Sequence, residues 1–233
     1  MINLILFGKP GSGKGTQAEF VKKRYDLVHI STGDVFRYNI SKNTDLGLLA
    51  KSYMEKGDLV PDQVTIKMLE NEVEKFPKAK GFIFDGFPRT TTQAEILDDF
   101  LDSKNMRISM TIALDVDENL LINRLINRGK ESGRIDDQDR TKIQNRFDEY
   151  NKKTAPLIDY YKSQNKFFEI DGIGEINDIS NRIFDVIDKK IQTINDESLL
   201  DLRIKDADIK FENVSFQYLN TEKRAIKKIS LNI

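Results

Sequence analysis

A continuous apolar run, Ile2-Asn3-Leu4-Ile5-Leu6-Phe7, passes directly into Gly8-Lys9-Pro10-Gly11-Ser12-Gly13-Lys14-Gly15-Thr16 and then into the helical run Gln17-Ala18-Glu19-Phe20-Val21. The order of strand, glycine loop and helix is that of a phosphate cradle. Glycines allow the backbone to fold back so that several N–H groups aim at one point, and the helix start adds partial positive charge. Within Gly11, Ser12, Gly13, Lys14, Gly15 and Thr16, the lysine supplies a full charge for the β- and γ-phosphates of a nucleotide. A tight strand-to-helix turn by itself would not need Lys14. The loop departs from the general G-x-x-x-x-G-K-[ST] pattern in one place, because Gly15 follows the lysine and the hydroxyl comes one position later at Thr16.

Such a loop belongs in a parallel sheet, and the rest of the chain supplies one. Ile2 to Phe7, Val28 to Ile30, Phe82 to Asp85, Ile108 to Val116 and Phe167 to Ile170 read as buried strands separated by helical segments. The expected fold is α/β, a three-layer phosphate-loop fold with a five-stranded parallel sheet. Leu46, Leu49, Ala50, Tyr53 and Met54 recur at helical spacing, Gly57 ends that helix, and Pro61 suits the first turn of the next. A stretch from about Thr141 to Tyr161 reads as one long helix that Pro156 breaks or bends. The last helix of the unit carries Ile176, Ile179, Ile183 and Ile187, and a boundary is expected near Asn195. In the 233 residues, 37 Lys and Arg nearly cancel 38 Asp and Glu, so no global charge advertises a nucleic acid or an anionic membrane as partner. The absence of Cys and the presence of one His exclude a thiol nucleophile and a thiolate or His-only metal cage. The N-terminal apolar run is far shorter than the ~18 residues of a membrane span and has no basic leader, so an unexported cytoplasmic protein is expected.

The second half of a site follows the third strand. Asp85 ends an apolar run and is suited to orienting Mg²⁺ or its waters, and Gly86-Phe87-Pro88-Arg89-Thr90 comes directly after it. Gln93 follows four residues beyond Arg89, with an amide that can both donate to and accept from a base edge. Together with Ser31-Thr32-Gly33-Asp34 and Arg37, and with Gly133-Arg134 before Asp136-Asp137, these segments make the chain resemble the adenylate kinases over about residues 2–191. Thr32 fits the adenylate branch of the nucleoside monophosphate kinases; the similar UMP and CMP kinases usually carry Ala there, and they remain the alternative.

The resemblance implies transfer of a phosphoryl group from MgATP to AMP, giving two ADP. Phosphoryl transfer needs little covalent chemistry, so positioning and charge neutralisation carry it. Lys14, Arg128, Arg134, Arg146, Asp136 and Asp137 match the catalytic positions. Gly11 to Thr16, Arg124, Arg128 and Gly174 match those around ATP. Thr32, Arg37, Asp58, Leu59, Val60, Gly86, Phe87, Pro88, Arg89, Gln93, Arg134 and Arg146 match those around AMP. Asp85 and Asp34 match the acids that reach Mg²⁺ through water. Arg124 and Arg128, four apart on a helix starting near Asp117, emerge on one face. From Arg134 to Arg146 the spacing is twelve residues, one more than the common family pattern, so Arg146 is placed by its distance to Tyr150 and Thr154-Ala155-Pro156-Leu157, with Asn145 as the other register. An AMP-binding insertion over about residues 31–60 and a short lid over about 129–137, without zinc-binding cysteines, are the implied moving parts of a domain spanning 1–194. A monomer is implied. His29 reads as a structural histidine.

Residues 195–233 read as a neutral tail ending in a β-hairpin, Ile209 to Tyr218 and Ala225 to Ile233 around a polar turn. It resembles the opening hairpin of an ABC transporter ATPase domain, in which a tyrosine at the position of Tyr218 stacks on adenine, but no second phosphate loop follows; a leftover of an adjoining reading frame is the plain reading, with a docking strand for the core or a partner and a nucleotide-contacting element as the alternatives. Two rival functions remain: a GTPase switch, for which no Asn-Lys-x-Asp motif is present, and a non-catalytic nucleotide-binding module fused to a transporter fragment.

Overall fold

Parallel strands need a crossover long enough to return the chain to the same edge, and a helix supplies it between each successive pair of sheet strands. The computed structural model describes residues 1–137, 139–200, 210–216 and 226–232, with side chains described through residue 194. Strand β1 (Ile2–Phe7) leads through the glycine loop into α1 (Lys14–Tyr25), and β2 (Val28–Ser31) into α2 (Thr32–Ser41), α3 (Asp45–Met54) and α4 (Asp62–Glu74). Strand β3 (Gly81–Asp85) is followed by α5 (Thr91–Ser103), and β4 (Met110–Asp115) by α6 (Glu118–Ser132), α7 (Arg140–Glu149) and α8 (Leu157–Lys162). Then come β5 (Phe167–Asp171) and α9 (Ile176–Leu200). The five strands form one parallel sheet in the order β2-β3-β1-β4-β5. The expected α/β fold is the observed one.

The strand order puts β1 at the centre, flanked by β3 and β4, so the phosphate loop at its C-terminal end opens beside Asp85 at the end of β3. Ligands of open parallel sheets bind at that edge. The main core on one face holds Phe82, Phe84, Leu97, Leu101 and Tyr161, all essentially without solvent exposure. Two smaller clusters build the peripheral parts: Phe36, Ala50, Met54, Val60 and Met68 beneath the α2–α3 segment, and Leu121, Leu125, Ile143 and Phe147 where α6 meets α7. Buried Asn3 ties the central strands at the far end, accepting from the Phe82 N–H at 3.1 Å and donating to the Arg107 carbonyl at 2.9 Å.

Three expectations are refined. The stretch 141–161 breaks at Pro156, as expected, but it also changes pitch before the proline: it is α7, then a π-helical turn over Tyr150–Thr154, then α8 with Pro156 at its N-cap. The Ala155 N–H bonds five residues back to the Tyr150 carbonyl at 2.8 Å, and Pro156 has no N–H to restore the α pattern. Strand β4 is shorter than residues 108–116, because Ser109 pairs with Asn3 outside the ladder. Pro61 stands at the N-cap of α4 rather than inside its first turn.

Helix α9 runs on to Leu200, past the boundary expected near Asn195, and the chain divides into Met1–Ile187 and Asp188–Ile233. In the second unit β6 (Lys210–Phe216) and β7 (Ile226–Asn232) pair antiparallel, with register shifts between Phe211 and Val214 and between Val214 and Phe216. Tyr218 and the expected turn lie outside the described residues. No helix among the described residues is long and apolar enough to cross a membrane.

Candidate active site

Helices α2, α3, α5, α6 and α7 each begin with a Ser, Thr or Asp side chain that accepts from a first-turn N–H. Helix α1 begins at Gly13 with no side-chain cap, so its first-turn N–H groups remain for a ligand. Gly8, Gly11 and Gly13 all have positive φ, the geometry that turns those amides inward. The Ser12 hydroxyl is buried in the loop with no hydrogen-bond partner among the described residues. Lys14 folds over the loop, its Nζ donating to the Gly8 carbonyl at 2.7 Å and the Lys9 carbonyl at 3.0 Å. Gly15 stands where the general loop pattern has a hydroxyl residue, and a Cβ there would lie 3.6 Å from Asp85 Oδ2, so the loop and the acid approach closely.

Burial lowers the Lys14 pKa to about 8, with Arg89, Arg146 and Arg128 adding to the effect and Asp85 opposing it. An anionic phosphate on this amine favours the charged form and raises the pKa again. The sign follows: above about pH 8 the free protein has begun to lose this proton, so nucleotide binding takes one up. Calorimetric titration of ATP at pH 8.5 in buffers of different ionisation heat is expected to show net proton uptake, and to show much less of it at pH 6.5.

Asp85 lies beside His29, whose Nε2 is 3.4 Å from Oδ2, while the Nδ1 of the same ring is 3.2 Å from Glu19 Oε1. Burial works against charge on His29, but the Asp85 and Glu19 carboxylates outweigh it and raise the pKa. The structural role expected of His29 is thereby given partners, and the ring also lines the cleft.

A single cleft of about 650 Å³ gathers the loop together with Arg37, Arg89, Arg124, Arg128, Arg134 and Arg146. Arginines scattered over more than a hundred positions of sequence therefore face one space. Gly33 and Gly86 make room for two of them: a Cβ at either would come within 2.9 Å of the Arg37 or Arg89 guanidinium. The Arg89 Nε donates to the Gly86 carbonyl at 2.7 Å, and burial and Arg146 lower its pKa to about 10, with Asp85 and Asp136 opposing. Thr32 donates its hydroxyl to the Gly86 carbonyl at 2.9 Å, and Asp58, Leu59, Val60, Phe87, Pro88, Gln93 and Gly174 also line the cleft.

Asp137 does not line the cleft, in contrast to the role expected of it. Its carboxylate is fully buried and joins two arginines, accepting from Arg128 Nε at 2.6 Å and from Arg146 Nη1. Asp136 does line the cleft, 3.0 Å from Arg146. Burial resists its charge, yet Arg146 and Arg37 hold the carboxyl below the usual range. Asp34, expected near Mg²⁺, lines the cleft, pairs with Arg37 at 2.6 Å and stands 3.7 Å from Arg134. Of the two possible registers, Arg146 is the one in the cleft. Asn145 donates to the Lys56 carbonyl and to Asp58 Oδ1, at 2.8 and 2.9 Å.

The sequence reading missed Thr154 and the part played by Tyr150. The π turn brings the Thr154 hydroxyl to the Arg89 carbonyl at 3.0 Å and sets Tyr150 in the cleft. Pro156 was the available signal, since a proline at that place forces a local change in pitch.

The family model for adenylate kinase matches residues 6–166. The chain is 61% identical to the adenylate kinase of Flavobacterium psychrophilum over 187 residues, 80% of this chain and 98% of the relative. It is 57% identical to that of Flavobacterium johnsoniae over 188 residues, 81% and 99% of the two chains. The Parabacteroides distasonis adenylate kinase is 49% identical over 80% of this chain and 98% of its own length. With the motif residues gathered about one cleft at the C-terminal edge of a parallel sheet, and with relatives matched over almost their whole length, the chain belongs to the adenylate kinase family.

Proposed function

We propose that the chain catalyses reversible transfer of the γ-phosphoryl group of ATP to AMP, giving two ADP. The observation that carries this reading is the convergence of the phosphate loop and six arginines on one cleft. ATP lies on Gly11 to Thr16, with Arg124, Arg128 and Gly174 along its base and phosphates. AMP lies against Thr32, Asp58 to Val60, Gly86 to Pro88 and Gln93, its phosphate held by Arg37 and Arg89 in the bidentate manner that suits guanidinium and phosphate. An AMP phosphate oxygen attacks the γ-phosphorus as the bond to the departing ADP oxygen breaks. Lys14, Arg134 and Arg146 neutralise the charge that spreads over the transferring group. Asp136 and Asp137 hold the arginines in place.

The residues present fit a magnesium ion that arrives with the triphosphate. Asp85 is a buried carboxylate beside the loop, and Thr16 offers a hydroxyl at its mouth. No group of three or more His, Cys, Asp or Glu among the described residues forms a metal cage of its own. Such an ion, held by Asp85 through water and by Thr16, would neutralise charge on the triphosphate. Closure of the segment over about residues 31–60 and of the short lid over about 129–137 would keep water from taking the phosphoryl group. We take the protein as a cytoplasmic monomer.

A coupled ADP assay with AMP, UMP, CMP and GMP as acceptors tests the reading. AMP is expected to exceed each of the others at least ~10-fold in kcat/KM. Preference for UMP or CMP would replace the substrate assignment, and binding without turnover would leave a nucleotide-binding module. Arg89→Ala is expected to raise KM for AMP at least ~10-fold while KM for ATP stays within twofold, since one bidentate phosphate contact is lost on one side only.

The antiparallel pairing of β6 with β7 gives the tail a hairpin, and its likeness to an ABC-type hairpin remains part of the proposal alone. We assign it no part in phosphoryl transfer. Relatives of about the matched 187–189 residues carry the name adenylate kinase over 98–100% of their length without an equivalent of the remaining fifth of this chain. Removing residues 196–233 is expected to leave kcat and the melting temperature unchanged, and a loss in either would give the tail a role.

A further inference from the structure

The two ends of a glutamine amide have nearly the same shape, so the direction in which it reads a ligand is set by what stands at each end. Around Gln93 the partners leave one choice. The main-chain N–H of Arg89, which can only donate, lies 2.7 Å from Oε1, and the carboxylate of Asp62 lies 2.7 Å from Nε2. The second oxygen of Asp62 accepts from the Thr90 hydroxyl at 2.9 Å, and that hydroxyl accepts the Gln93 N–H at 3.2 Å, so the carboxylate is itself tethered. Gln93 is 1% exposed and lines the cleft, which leaves little room for another rotamer. After these bonds the amide retains one N–H and one acceptor site for a ligand.

A 6-amino purine offers an acceptor at N1 beside a donor at its amino group; a 6-oxo purine offers a donor at N1 beside an acceptor. Each matches one direction of an amide and opposes the other. Turning Gln93 over to suit the 6-oxo base would set Nε2 against the Arg89 N–H and Oε1 against the Asp62 carboxylate, donor to donor and acceptor to acceptor. We propose that Asp62 is a specificity-determining positioning residue: by fixing the direction of the Gln93 amide it makes the acceptor site take a 6-amino purine monophosphate and refuse its 6-oxo counterpart. This rests on the functional reading above.

The test compares AMP with inosine monophosphate in the full-length protein. Asp62→Leu keeps the shape of the side chain and removes both acceptor oxygens. It is expected to raise KM for AMP at least ~10-fold with KM for ATP within twofold, and to narrow the AMP to inosine monophosphate ratio of kcat/KM by ~10-fold or more. Asp62→Asn keeps one acceptor for Nε2 and is expected to hold that ratio within threefold of wild type. In a Gln93→Leu background, adding Asp62→Leu is expected to change KM for AMP by less than twofold, because the carboxylate acts through the amide. If Asp62→Leu does not fold, Asp62→Ala carries the same expectation at threefold or more. The proposal falls if both AMP and ATP constants shift together, if the ratio is unmoved, or if Asp62→Asn loses as much as Asp62→Leu. A wild type that uses inosine monophosphate as readily as AMP overturns the proposal and leaves the kinase reading standing. A wild type that phosphorylates neither overturns both.

Discussion

Lys14→Met is expected to lower kcat at least ~100-fold, because it removes a full positive charge aimed at the transferring oxygens from a site that excludes water. Methionine matches the length of the lysine stem, so the loop keeps its filling. The Gly8 and Lys9 carbonyls, which now receive Nζ at 2.7 and 3.0 Å, face solvent or ligand instead. The loss is expected mainly in kcat, with a smaller rise in KM for ATP, since the backbone amides of the loop still hold the phosphates. Steady-state kinetics with both substrates varied check this. A variant within threefold of wild type would mean that the arginines alone neutralise the transferring group.

Asp137→Ala is expected to damage activity and stability together, although this carboxylate lines no part of the cleft. It is fully buried and holds Arg128 and Arg146, whose side chains are 34% and 16% exposed. Removing one partner of a buried pair leaves the other charges uncompensated, at ~3–5 kcal/mol when all are buried. Partial exposure of the arginines lets water compensate them, so a loss of about 2 kcal/mol is the better figure. For a chain of this size that corresponds to a fall in melting temperature of roughly 4–8 °C. With both guanidiniums released, kcat is expected to fall at least ~10-fold, since orientation of the charges is what the site contributes. Arg128→Lys provides the contrast: it retains one ammonium against Asp137, so its melting temperature is expected to fall less than that of Asp137→Ala. If Asp137→Ala lost stability but kept full kcat, the carboxylate would serve packing alone.

The sheet was legible because its strands are short, apolar and each followed by helical periodicity, which is a local signal. The phosphate loop was legible for the same reason: Gly8 to Thr16 is contiguous, and its chemistry lies in backbone geometry that neighbouring residues set. The arginines were legible as motif positions. Their shared destination was a matter of topology, since Arg37 and Arg146 stand on helices that follow β2 and β4, strands on opposite sides of β1 in the sheet, and they meet only where the fold brings both to one cleft. Pro156 marked the break before α8 but not the π turn ahead of it, because a proline signals that the pattern changes without saying where the pitch gives way. The π turn at Tyr150–Thr154 depends on where Ala155 finds its acceptor.

Sequence alone therefore determined the elements, the phosphate cradle and the identity of the charged residues, because these follow from spacing within a few turns of chain. Which carboxylate would face the nucleotides and which would brace the arginines was decided by the tertiary structure. Asp34, Asp136 and Asp137 are chemically alike. Asp34 lines the cleft, exposed and paired with Arg37; Asp136 lines it buried against Arg146; and Asp137 is sealed beneath Arg128 and Arg146. Burial and the nearest charges assign those roles, and both are properties of what the fold brings close rather than of the residue or its neighbours along the chain.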